Sequence, residues 1–61
     1  MLDLLNLPEG ARELKISVHT MRAWVFQKRI PFVRLGRRIL FRRSDLEDFV
    51  KRNLVEARER D

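Results

Sequence analysis

The sequence predicts a mostly helical fold carrying a small β-hairpin, in the order helix, short turn, helix, hairpin, helix. Three observations predict it. Apolar residues recur at helical spacing on both sides of a brief break at Lys15-Ile16. Two β-prone runs then flank Gly36, and Ser44-Asp45-Leu46-Glu47 opens a second apolar stripe at Leu46, Phe49, Val50, Leu54 and Ala57. Spacings of three and four mark one face of a helix, whereas short β-branched and aromatic runs around a glycine mark a hairpin.

Taken in order, residues 1–5 read as a short apolar lead. Asn6 is a helix-capping residue and Pro8 stands near the first turn, where a missing N–H costs little. Residues 8–14 are the first expected helix, with Leu7, Ala11 and Leu14 at helical spacing. Gly10 inside it sacrifices up to about 1 kcal/mol of helix propensity, which implies close approach by another helix. Ser17 caps the second helix, which runs to about Gln27 or Lys28 with Met21, Trp24 and Val25 inward, joined in the apolar count by Val18 and Phe26. So short a connection makes the two helices cross steeply, with Ile16 under the corner. Pro31 pushes Ile30 towards an extended conformation and ends the helical stretch.

The hairpin admits two registers. A two-residue loop at Gly36-Arg37 places Val33 and Leu35 with Arg38 and Leu40. A three-residue loop at residues 36–38 instead gathers Val33, Leu35, Ile39 and Phe41, leaving Arg34 and Arg42 opposite with Phe32 and Leu40. The second gives a clean apolar side and is the expected register, although glycine usually comes last in such a loop. The third helix starts at the capping box of Ser44 and Glu47, with acids in its first turn and bases after it, as the helix dipole favours.

Composition bounds the rest. Sixty-one residues make one domain, with an ordered core expected over residues 4–55 and a fraying end at residues 58–61. So small a domain buries only about 60% of the surface its unfolded chain exposes. With no cysteine and a single histidine, His19, there are no disulfides and no metal or other cofactor is expected. No apolar run approaches the ~20 residues of a membrane span, and no signal-peptide pattern appears. A soluble cytoplasmic protein is the expectation. An enzyme is not, because there is no cysteine, a single histidine, no carboxylate pair in a plausible pocket and no glycine-rich phosphate loop, and so small and open a domain would not exclude water from a reaction site.

Charge is distributed unevenly. The net charge is +5, but no Asp or Glu occurs between Lys15 and Ser44, a window holding nine of the fourteen Lys and Arg residues. The rest of the chain has five basic residues against nine acidic ones. Such segregation points to a polyanionic partner, nucleic acid before membrane, since no basic amphipathic anchor accompanies it. The plain alternative is a basic protein with an uneven surface.

Helix, turn, helix, hairpin, helix is the plan of a minimal winged helix-turn-helix: two crossing helices, a two-stranded wing and a third helix. Ala11, Leu14, Ile16, Met21 and Trp24 fall where such a pair needs one shared core. The chain resembles the excisionase-like family of helix-turn-helix domains, relatives of the DNA-binding part of MerR-type regulators. The resemblance covers about residues 4–52. It lies in Ser17-Val18-His19-Thr20-Met21-Arg22-Ala23-Trp24, Arg29-Ile30-Pro31, Val33-Arg34-Leu35-Gly36-Arg37-Arg38 and Arg43-Ser44-Asp45-Leu46. Two features depart from the usual pattern. Lys15 stands where the corner usually has glycine, at a cost of about 1 kcal/mol or more if its backbone is left-handed. Phe32 and Leu40 fall on the expected open face of the hairpin, either as a contact surface or as cover for the ends of the first and third helices.

The resemblance implies double-stranded DNA as partner, with the second helix in the major groove and the wing at the neighbouring minor groove or backbone. His19, Ala23 and Gln27 share one helix face at i, i+4 and i+8, and the resemblance gives the flanking Arg22 a phosphate or base contact. Ser17 and Thr20, at the helix start, are also positioned for phosphate, and Lys28 is grouped with them. On the wing, Arg34, Arg37, Arg38 and Arg42 suit narrow grooves and paired phosphate bonds. Trp24 is expected in the core, since no second exposed aromatic accompanies it as a stacking platform. The implied roles are a recombination directionality factor or a small transcriptional regulator, working as a cooperative array, as a dimer or with a recombinase. The rival is a protein-interaction module using the third helix and the Phe32/Leu40 surface. RNA is disfavoured because single-strand readers need exposed aromatics, and no small-molecule substrate is expected.

Overall fold

Leu4 and Leu5, read above as part of a lead, begin a strand. A computed structural model describes residues 3–57. Its elements are β1 (Leu4–Asn6), α1 (Leu7–Leu14), α2 (Val18–Phe26), β2 (Val33–Leu35), β3 (Arg38–Arg42) and α3 (Arg43–Arg52). The architecture is a small winged helix-turn-helix: three helices on a three-stranded antiparallel sheet in the order β1-β3-β2. The expected fraying end at residues 58–61 lies outside the described residues.

Local chemistry explains the helix ends. The Asn6 side chain accepts from the Glu9 N–H at 2.8 Å while the Glu9 carboxylate accepts from the Asn6 N–H at 2.8 Å, a full capping box. At the far end of α1, Lys15 is left-handed, with φ 59° and ψ 41°. Its N–H donates to the Arg12 carbonyl and that of Ile16 to the Ala11 carbonyl, at 3.1 and 3.0 Å. That is a Schellman closure. Ser17 then caps α2 by accepting from the Thr20 N–H at 3.0 Å. The end of α2 repeats the device. Lys28 has φ 58°, and the N–H groups of Lys28 and Arg29 donate to the carbonyls of Val25 and Trp24, at 3.0 and 2.8 Å.

The third helix departs from expectation at both ends. Strand β3 runs directly into α3, so Arg42 holds the cap position and Ser44 lies inside the first turn without capping. The Arg43 N–H instead donates to the Asp3 carbonyl at 3.3 Å, and the Asp45 carboxylate turns to the Arg42 guanidinium. The Asn53 amide donates to the Phe49 carbonyl at 2.8 Å, competing for backbone and ending α3. Leu54 and Ala57 therefore fall beyond the helix, Leu54 exposed, and the expected stripe stops at Val50.

The hairpin takes the register that was not expected. Val33 pairs with Leu40, Arg34 with Ile39 and Leu35 with Arg38, leaving a two-residue loop at Gly36-Arg37. Gly36 has φ +60° and Arg37 does not share it. A glycine with positive φ at the first of two loop positions is the type II′ pattern, whose twist matches the strands. Turn chemistry thus outweighs the cleaner apolar face. Ile39 and Phe41 face inward with Arg34 at the same edge, while Val33, Leu35, Arg38, Leu40 and Arg42 share the outer face. Phe32 packs against the core, so Phe32 and Leu40 do not form one surface.

The core is Leu5, Ala11, Met21, Val25, Ile30, Phe41 and Leu46. Strand β1 supplies Leu5 beside Phe41. Gly10 shows why it is glycine: a Cβ there would stand 3.0 Å from both the Met21 methyl and the Phe41 ring. The close approach therefore comes from the sheet as well as from α2. Leu14, Ile16 and Trp24 are only half-buried. Trp24 packs against Phe49, centroids 5.6 Å apart, with the Arg29 guanidinium 5.7 Å from its ring centre.

Candidate nucleic-acid interface

Helix α2 turns Met21 and Val25 into the core, which leaves its opposite side exposed. His19, Arg22 and Ala23 are exposed on it, and Gln27 is exposed at its end. Thr20 is half-buried, and its Oγ1 accepts from the Ser17 hydroxyl at 3.0 Å, so these two residues act as one cap. At about 100° per residue, Phe26 lies only about 20° round the helix from His19. Phe26 is 87% exposed. Composition groups it with the apolar positions of the helix, but it belongs to the outward face. A helical wheel separates the two: Phe26 aligns with His19, whereas Met21 and Val25 lie on the other side.

Helix α1, the left-handed corner at Lys15 and α2 pack on one core, the arrangement that presents α2 outward. The helix-turn-helix domain family model matches residues 4–54. The chain belongs to that family. No curated protein and no solved structure matches it.

In this helix-turn-helix domain the wing stands beside the exposed side of α2, with a groove of about 450 Å³ between them. Its apolar lining is Leu7, Val25, Phe26, Phe32 and Ile39, and its other lining residues are the cations Arg22, Lys28, Arg34 and Arg37. No acid lines this groove. Among the described residues, ion pairs occur elsewhere: Arg42 Nε to Asp45 at 2.6 Å, and Arg43 to Asp3 and Glu13 at 3.0 and 2.8 Å.

The wing arginines therefore divide. Arg34 and Arg37 join Arg22 and Lys28 at the groove. Arg38 and Arg42 lie on the outer face of the sheet, so the four do not share one side. Arg42 also has Nε and Nη2 committed to Asp45. That hydrogen bond holds the Asp45 carboxyl below its ordinary range and raises Arg42 further. Asp3 and then Glu13 raise Arg43 in the same way. No three His, Cys, Asp or Glu side chains gather to hold a metal among the described residues. None of their helices is long and apolar enough to cross a membrane.

Proposed function

We propose that this helix-turn-helix domain is a cytoplasmic protein that binds double-stranded DNA, with α2 in the major groove and the wing against the adjacent minor groove or backbone. The observation that carries the reading is the acid-free groove between α2 and the wing, where Arg22, Lys28, Arg34 and Arg37 converge. A row of cations without internal partners attracts phosphate, and a helix is about the right width for the major groove.

In this reading His19, Ala23 and Gln27 face base edges, while Ser17, Thr20, Arg22 and Lys28 hold phosphates beside them. Arg34 and Arg37 carry the main wing contact, with Arg38 at the loop and Arg42 as the weakest. About six phosphates neutralised give a salt slope of log K near −5. The biological role is a recombination directionality factor or a small transcriptional regulator, acting as an array, a dimer or beside a recombinase. The rival reading, a protein-interaction module using α3 and the Phe32/Leu40 surface, loses its second part because Phe32 and Leu40 do not share a face.

The test is selection from a randomised duplex pool at two salt concentrations. Direct repeats among the retained sequences support an excision-type array, and inverted repeats a dimeric regulator. Retention without enrichment leaves backbone-only binding, and no retention overturns the reading.

A further inference from the structure

Phe26 is a large apolar side chain left 87% exposed, in a groove whose other apolar lining, Leu7, Val25, Phe32 and Ile39, is accompanied by four cations. Arg22 lies one turn before it, Lys28 two residues after it, and Arg34 and Arg37 border the same groove. A ring that served the core would face Met21 and Val25, and this one faces away. A ring that served a second copy of the chain would need an apolar, uncharged rim, since juxtaposing four cations with the same four on a symmetric partner repels. A polyanion with an apolar spot inside it fits both features. In the major groove that spot is the C5-methyl of thymine, flanked on both sides by phosphates.

We propose that Phe26 reads a thymine methyl, making it a specificity residue of α2; this rests on the DNA reading above. Phe26 lies almost in line with His19, about 10 Å further along the helix, well beyond the rise of about 3.4 Å between neighbouring base pairs. The thymine it touches is therefore a different base pair from the one beside His19. Ala23, between them on the same side, is small enough to let the helix approach.

The experiment replaces each thymine of the selected duplex in turn by deoxyuridine, which removes only the methyl, and measures Kd for the full chain and for Phe26→Ala. The ring is 87% exposed and stands outside the core cluster, so Phe26→Ala should fold, which circular dichroism checks. One replacement should weaken the wild-type chain about fourfold, the worth of one buried methyl. The same replacement should leave Phe26→Ala unchanged, while His19→Ala keeps the full effect. An equal loss in both proteins, or no loss at any thymine while DNA is still bound, overturns the assignment but not the DNA reading. No binding to any duplex overturns both. Sedimentation supplies a further check: a dimer that Phe26→Ala converts to monomer would assign the ring to a second copy and overturn the proposal.

Discussion

Two groups of arginines in this small domain live under opposite rules. Where β3 runs into α3, Arg42 and Arg43 are held by Asp45, Asp3 and Glu13, tying the start of α3 to the chain before β1 and to α1. Arg22, Arg34 and Arg37 border a groove that no acid lines, and Lys28 borders both it and a second cavity lined by Asp45 and Asp48. Cations that stabilise a fold are satisfied within it, and cations left facing one another repel until an outside anion separates them. The difference marks one corner as scaffold and, on the DNA-binding reading proposed above, the groove as the contact surface.

The largest effect should come from removing groove cations. Arg34→Ala with Arg37→Ala should flatten the salt slope by nearly two. At about 0.05 M salt that is roughly two-hundredfold in affinity. Arg43→Ala should leave the slope where it is, because its guanidinium is occupied by Asp3 and Glu13. Titration of duplex DNA at several salt concentrations measures both. Equal slopes for the two variants would erase the distinction between the groups.

Next in size is a change to the scaffold alone. Gly10→Val sets atoms where even a Cβ stands 3.0 Å from the buried Phe41 ring. Overpacking of this kind should destabilise by about 2 kcal/mol in urea unfolding. DNA affinity, measured where the variant is still folded, should be unaffected. A drop in affinity of the folded variant would mean that core and groove are coupled.

The two left-handed lysines sharpen the comparison further. Lys15 and Lys28 close α1 and α2 by the same Schellman geometry, yet only Lys28 borders the groove. Glycine adopts left-handed backbone without the Cβ clash, so each Lys→Gly change should stabilise by about 1 kcal/mol. Lys15→Gly should leave the salt slope untouched, and Lys28→Gly should flatten it by about one. Thermal unfolding and DNA titration of the two variants separate a backbone effect from a charge effect.

These contrasts also show what the chain sequence discloses and where it goes silent. The two crossing helices were legible because Asn6, Ser17 and Pro31 act locally, and the acid-free window is a property of order alone. Gly10 was legible as a close approach, though not as one involving Phe41. Strand β1 was missed because three residues form no pattern of their own; they are a strand only because β3 offers its free edge. The hairpin register failed for a related reason. Maximal apolar pairing favours a three-residue loop, yet Gly36 in first place suits the two-residue loop that forms. The error moved Arg34 and Phe32 to the wrong sides and so hid the convergence of Arg34 with Arg22. At the start of α3, Ser44 and Glu47 matched a capping box, but β3 leaves no residue between strand and helix for a cap.

The smallest expected effect concerns Arg42, which belongs to the wing by sequence and to the scaffold by its partner. Its hydrogen bond keeps the Asp45 carboxyl below the ordinary value, near 3.9 for a free Asp. A carboxyl lowered in the folded state stabilises above its unfolded pKa, and that contribution is lost as pH falls through the lowered one. Arg42 stands largely in solvent, its side chain 62% exposed, so the contribution is small. Asp45→Asn should therefore slightly reduce stability at neutral pH and remove part of its decline in acid, read by urea midpoints across the acid range. The same change releases the Arg42 guanidinium. If the outer face of the sheet passes near DNA, affinity should rise a few-fold and the salt slope should steepen by up to one. If neither changes, that face points away from the duplex, and the wing meets DNA only through the side that carries Arg34 and Arg37.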